Sequence, residues 1–200
     1  MLKFRDCVLV FFLLIFGSGL YAQTHWYTIH RGGKQIGEIS ASLVESEHTE
    51  TYEILSDVTF KVLWKSYNRK TSHLVVYEHE SLTSSSSGVY MNDDLEDSAA
   101  LNLDYKTYHC FRFPDDRFIL SDEGVQFTTA KLYFQEPVGV SQVYSERFLL
   151  YCTLEPEGKH RYKLSLPGGK TNYYTYEDNN LSEVYIDRTW FNLEFKKNNR

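Results

Sequence analysis

Cysteine is scarce in this chain, three in 200 residues, and only Cys110 and Cys152 lie beyond the first segment. A single domain of this length buries about 70% of its unfolded surface, so its core does not need a disulfide. A bond between Cys110 and Cys152 would require an oxidising compartment and Cβ atoms within about 4 Å. Cys152 runs in phase with Phe148, Leu150 and Leu154, Cys110 with Lys106, Tyr108 and Arg112. The disulfide and two free thiols in neighbouring strands both stay open. Long apolar runs are missing after the first twenty-odd residues, which excludes a helical membrane span there. Positive charge is also short: 21 Lys+Arg face 27 Asp+Glu and form no basic stripe. Phosphate backbones are repelled by such a balance, so nucleic acid is excluded as a partner. Helical periodicity is absent between the strand-like segments, which excludes a doubly wound parallel sheet. No Gly-x-Ser-x-Gly elbow occurs.

The first residues have a different character. Lys3 and Arg5 form a basic start, Val8 to Phe16 an apolar stretch, and Leu20-Tyr21-Ala22 a small-residue exit before Gln23. That order predicts a secretory signal at 1–22 cleaved after Ala22, and a product exported to the periplasm or beyond. Cys7 lies ahead of the apolar stretch, so it is not placed to carry a lipid on a mature terminus. Residues 23–200 are expected to form one all-β domain.

Period-two alternation carries that expectation. Tyr52, Ile54, Val58, Phe60 and Val62 alternate with Thr51, Glu53, Asp57, Thr59 and Lys61. At about 3.3 Å per residue this strand runs roughly 40 Å, a length that belongs to a curved sheet or barrel wall. Comparable strands are predicted at 26–31, 36–44, 72–80, 104–113, 146–154, 160–166, 171–176, 183–187 and 190–195. Turn residues join them: Gly32-Gly33, Pro114-Asp115-Asp116, Asp122-Glu123-Gly124, Pro156-Glu157-Gly158, Pro167-Gly168-Gly169 and Asp178-Asn179-Asn180. Ser84 to Gly88 reads as a polar strand facing solvent, with an acidic turn at Asn92 to Glu96. Leu55 and Cys110 break the alternation of their strands, which predicts that their outer faces are covered. The predicted fold is mainly β: a single antiparallel, strongly curved sheet, a half-barrel or barrel-like meander. At most one short helix is expected, at Thr128 to Phe134.

Few residues point to chemistry. Of seven histidines, His73 and His79 share a strand face but stand roughly 20 Å apart, so no metal site and no cofactor is expected. Glu136 and Glu146 bracket a loop and raise carboxylate-pair hydrolysis, a chemistry that needs a defined separation between the two acids. Aromatics are dense at 16%, and Tyr133, Tyr173, Tyr174 and Tyr176 are candidate ligand-binding residues, their phenols offering hydrogen bonds from apolar walls. Trp190, Phe191 and Phe195 add a second aromatic strand. The competing reading makes the tyrosines good strand formers at a rim.

Several stretches together resemble an uncharacterised family of exported Bacteroidota proteins, known as a domain of unknown function. They are Gly33-Lys34-Gln35-Ile36-Gly37, Leu132-Tyr133-Phe134-Gln135-Glu136-Pro137, Glu146 at the next strand start, Tyr162 to Gly169, and Asn172-Tyr173-Tyr174-Thr175-Tyr176. The resemblance implies export and a β architecture, and it brings no activity. Where an Asn-Gly turn is expected, this chain has Tyr90-Met91-Asn92-Asp93. In that setting Glu136 and Pro137 fix a loop, the carboxylate accepting from backbone amides and the proline removing a donor.

Three functions follow in order of preference. A binding or carrier module for an apolar or amphiphilic ligand comes first. An envelope structural or protein-interaction module comes second, and a hydrolase third.

Overall fold

The computed structural model describes residues 20–121, 124–189 and 191–198. Their strands form one 14-stranded antiparallel sheet built from two meanders. The first runs β1 (Tyr21–Arg31), β2 (Lys34–Glu45), β3 (Thr49–Val62), β4 (Lys65–Glu78), β5 (Ser81–Met91), β6 (Asp94–Asp104), β7 (Thr107–Arg112) and β8 (Asp116–Leu120). The second runs β9 (Gln142–Ser145), β10 (Leu150–Pro156), β11 (Arg161–Leu166), β12 (Lys170–Glu177), β13 (Asn180–Arg188) and β14 (Phe191–Asn198). Strands β1 and β14 zip the meanders together, with Ile29 opposite Phe195, which leaves β8 and β9 at the two ends of the strand order. The expected curved half-barrel is therefore present. Among the described residues the one helical element is a 3-10 turn at Lys131–Tyr133, inside the segment expected to hold it. The predicted signal lies, up to residue 19, outside the described residues; Tyr21 and Ala22 already pair with Glu45 and Val44.

Turn chemistry sets the meander. Gly32-Gly33, His79-Glu80, Asn92-Asp93, Gly168-Gly169 and Asp178-Asn179 each place both central residues at positive φ, the geometry whose twist matches a two-residue hairpin. Gly37 answers a different need: a Cβ there would strike the backbone oxygen of Asp57. Only glycine lets β2 and β3 approach at that rung.

Several sequence expectations need correction. The strand expected at 146–154 starts only at Leu150, as β10; 146–149 form the turn after β9, closed by the Leu149 amide donating to the Ser145 carbonyl at 2.8 Å, with Leu149 at φ 51°. Asn92 to Glu96 is only partly a turn, since β6 starts at Asp94. The serine run is an interior strand of the sheet, not a solvent-facing one: Ser85 and Ser87 are buried. Leu55 is 41% exposed, so nothing covers its side of β3, whereas Cys110 is buried. The turn expected at Asp122-Glu123 falls outside the described residues, as does Trp190.

Topology then dictates the interior. Because β8 and β9 lie at opposite edges, the chain between them has to cross the sheet, and it crosses the concave side. Val125, Ala130 and Leu132 are buried there. An irregular segment in a core has backbone groups without ladder partners, and the strands supply them. The Tyr108 hydroxyl donates to the Leu82 carbonyl at 2.9 Å and accepts from the Val125 amide at 3.2 Å. The Tyr176 hydroxyl donates to the Leu132 carbonyl at 2.8 Å. Lys131 sits 3.8 Å over the Tyr77 ring and 3.1 Å from a Glu50 oxygen. Much of the tyrosine density is thus spent on holding this segment. Side chains also bridge the far arms: Arg147 donates to Asp97 of β6 at 2.8 and 3.0 Å, and Arg112 of β7 to the Phe148 carbonyl at 2.6 Å.

Candidate functional site

The crossing segment does not fill the concave space. Beside it a cavity of about 830 Å³ opens, lined by Thr129, Ala130 and Tyr133 of the segment and reaching the β11–β12 turn at Gly168-Gly169. Its walls are aliphatic and aromatic: Ile29 from β1, Ile36 and Ile39 from β2, Ile54 and Val58 from β3, Leu164 from β11, Val184 and Ile186 from β13, Phe195 from β14. These are the inward positions of the strands, on the same alternation that builds the core. Beside it, β3 and β4 continue past the sheet: Thr59 to Val62 pair with Lys65 to Asn68 alone, since β2 pairing ends at Val58 and β5 pairing at Arg69. Phe60 and Tyr67 stack at 5.8 Å on that ribbon, and Leu63 and Trp64 at its tip are 82% and 87% exposed.

Charge in the cavity is one-sided. Arg31, Arg69, Arg147, Lys170 and Arg188 line it, against the single carboxylate of Asp187. Arg147 is committed to Asp97. Arg188 donates to the carbonyls of Thr171 and Asp187 and to the Asn172 side-chain oxygen. The Arg69 guanidinium has no hydrogen-bond or salt-bridge partner among the described residues. Burial holds the Arg69 guanidinium below its ordinary pKa, with repulsion from Arg147 adding to it and Glu96 and Asp97 opposing. Burial does the same for Arg188, where Arg147 and Arg69 repel it while Tyr174 and Asp187 oppose. His73 also lines the cavity; its buried Nδ1 has no partner among the described residues. Burial lowers its pKa, Glu146 opposes, and Arg147 adds to the lowering.

Of the tyrosines singled out in the sequence, Tyr133 and Tyr174 reach the cavity. Burial pushes the Tyr174 phenol up to about 12. Tyr176 does not reach it, being spent on Leu132. Tyr173 does not either: it packs against Tyr185 and beneath the Arg161 guanidinium. His79 lies at the opposite end, stacked on His48 at 4.8 Å. Among the described residues no three His, Cys, Asp or Glu side chains are grouped to hold a metal.

Glu136 and Glu146 do not form a pair. Glu136 accepts from the Tyr162 hydroxyl at 2.7 Å and contacts His160 at 3.0 Å. It fixes its loop through side chains rather than the expected backbone amides, with Pro137 buried after it. The amide-binding role belongs to Glu146, fully buried, which accepts from the Ala130 amide at 2.9 Å and from the Thr129 hydroxyl. Cys110 and Cys152 are free thiols, not a disulfide. They stand on β7 and β10, in opposite arms of the sheet and not in neighbouring strands. Burial raises both thiols, Cys152 to about 11.

A curved antiparallel sheet, partly filled by its own chain with a cavity beside it, defines a β-barrel-like domain. The chain belongs to the DUF6134 family, a domain of unknown function, whose model matches residues 27–198. The match agrees with the resemblance to an uncharacterised family. No curated protein matches the sequence. Among solved structures, a beta-barrel-like protein of the domain of unknown function DUF1849 from Brucella abortus is similar, with a TM-score of 0.58 at 10% identity, over 90% of this chain and 95% of that one. At that identity the likeness concerns the fold alone. Among the described residues no helix is long and apolar enough to cross a membrane.

Proposed function

We propose that this is an exported binding or carrier module whose cavity takes an apolar or amphiphilic ligand. The observation that carries the reading is the cavity of about 830 Å³ behind aliphatic walls. Protein interiors are close-packed and keep few voids larger than a water molecule, and pockets for small ligands run to about 300–1,000 Å³. Export and an origin among Bacteroidota belong to the same proposal, supported by the basic, apolar and small-residue order at 1–22 and by the order of the landmark motifs.

The two carboxylates weighed for hydrolysis hold separate loops, which favours binding over catalysis. Partner recognition has one observation behind it, the exposed Leu63 and Trp64 at the ribbon tip, and it is the second reading. Titration with the neutral dye N-phenyl-1-naphthylamine separates the two. Saturable enhancement at one dye per chain, lost when Val58→Trp fills the cavity, is the expected result. An equal response from both proteins, or none from either, would count against the binding module.

A further inference from the structure

We propose that the ligand is an amphiphile with an anionic head, a carboxylate or phosphate, received by Arg69 and Arg188 while its chain lies on the aliphatic wall. The inference rests on the binding reading above and goes beyond it by naming the ligand's charge. Its first support is the contrast in electrostatics. The whole chain carries a formal charge of −6, yet its cavity gathers five cations around one acid. Surface solvation does not place cations there, since arginine is costly to desolvate without a partner.

The second support is the division of labour among the arginines. Arg147 already has its carboxylate in Asp97, so its charge is spoken for. Arg188 is held only by neutral oxygens and by no carboxylate within salt-bridge distance, which positions its planar fork while leaving the charge unneutralised. The Arg69 guanidinium makes no hydrogen bond or salt bridge among the described residues, with Glu96 and Asp97 acting on it only from a distance, although it lies on β4 in phase with buried Val75 and Tyr77. A third donor is on the same face: the His73 imidazole, four residues along, with its buried Nδ1 unpartnered. Arg69 and His73 of β4 and Arg188 of β13 thus line one cavity from separate strands, and two guanidinium groups facing one volume match the acceptors of a carboxylate or phosphate head.

Competitive displacement of the neutral dye by hexadecanoate, hexadecyl phosphate and hexadecanol tests this on the purified protein. The alcohol shares the chain and lacks the charge. Both anions are expected to bind at least tenfold tighter than hexadecanol, and whichever binds tighter identifies the head. One lost charge-assisted contact corresponds to roughly a 10- to 150-fold weakening, so Arg69→Met is expected to weaken the anions by that factor. It should leave hexadecanol unchanged, and Arg69→Lys should restore part of the loss. The melting temperature supplies a control, because burial and repulsion from Arg147 outweigh the attraction of Glu96 and Asp97 at Arg69: Arg69→Met should melt at or above the unaltered protein. Equal affinity for acid and alcohol, with no effect of Arg69→Met, would overturn the anionic head and leave the cavity reading standing. Failure of the dye and all three amphiphiles to bind would overturn both.

Discussion

Glu146 is the residue on which the crossing segment turns, and its removal makes a quantitative test. Its carboxylate is fully buried and receives the Ala130 amide at 2.9 Å and the Thr129 hydroxyl. In Glu146→Ala the Ala130 amide loses its acceptor inside the core, which costs about 1–3 kcal/mol. The truncated side chain leaves a cavity beneath the segment, and large-to-small core changes add about 2 kcal/mol or more. The total is about 3–5 kcal/mol, a large share of the 5–15 kcal/mol that a domain commonly has. Glu146→Gln retains an oxygen for the Ala130 amide and keeps the volume, so about 1–2 kcal/mol is expected. Urea unfolding followed by intrinsic fluorescence reads both values, with an unchanged slope as the sign that only stability moved. The reasoning is refuted if alanine costs under 1 kcal/mol, or if glutamine costs as much as alanine.

Other consequences are more local. Gly37→Ala brings a methyl group against the Asp57 backbone oxygen; forcing β2 and β3 apart should cost about 1–3 kcal/mol, and calorimetry showing an unchanged melting temperature would contradict it. The thiols are free, so added reductant should leave thermal stability unchanged. Because burial raises Cys152 from an ordinary 9.0 to about 11, its contribution to stability is complete below about pH 9 and lost as pH rises toward 11; a Cys152→Ala variant should show a shallower alkaline decline. His73 titrates the other way. Its pKa is lowered from an ordinary 6.5, so its contribution is present above that value and lost as pH falls through the depressed one, and His73→Gln should flatten the acid limb of a pH–stability curve.

Much of the sheet is legible in the sequence because one face of each strand is buried and the side-chain period is two. Tyr52, Ile54 and Val58 on β3 show it directly, and Gly32-Gly33 and Gly168-Gly169 mark turns whose positive φ glycine accepts without strain. The crossing segment is not legible. Residues 124–141 have no period, and only the pairing of β1 with β14 makes it necessary that they traverse the concave side. Glu146 was visible as a strand-start acid, but its burial follows from that crossing and not from its neighbours in sequence. The cavity arginines had a signal that composition hides. Arg69 shares its phase with Thr71, His73 and Val75, and Arg188 with Val184 and Ile186, so each continues an inward row. A cation in phase with buried apolar residues reads as ordinary polar alternation until the facing strand is known. Arg147 stands in a turn and offers no phase at all. Tyrosine density was legible as an excess, yet its division between wall and loop anchor depends on which carbonyls the crossing segment presents.

An acidic amphiphile in the cavity of this sheet can be seen directly. The most direct test is a crystal structure of the protein with 16-bromohexadecanoate, its bromine located by anomalous scattering. Continuous chain density along Ile54, Leu164 and Phe195 is expected, with carboxylate oxygens about 3 Å from the guanidinium of Arg69 or Arg188. An empty cavity with the bromine on the exposed Leu63–Trp64 tip, or a chain in the cavity whose carboxylate avoids both arginines, would contradict it.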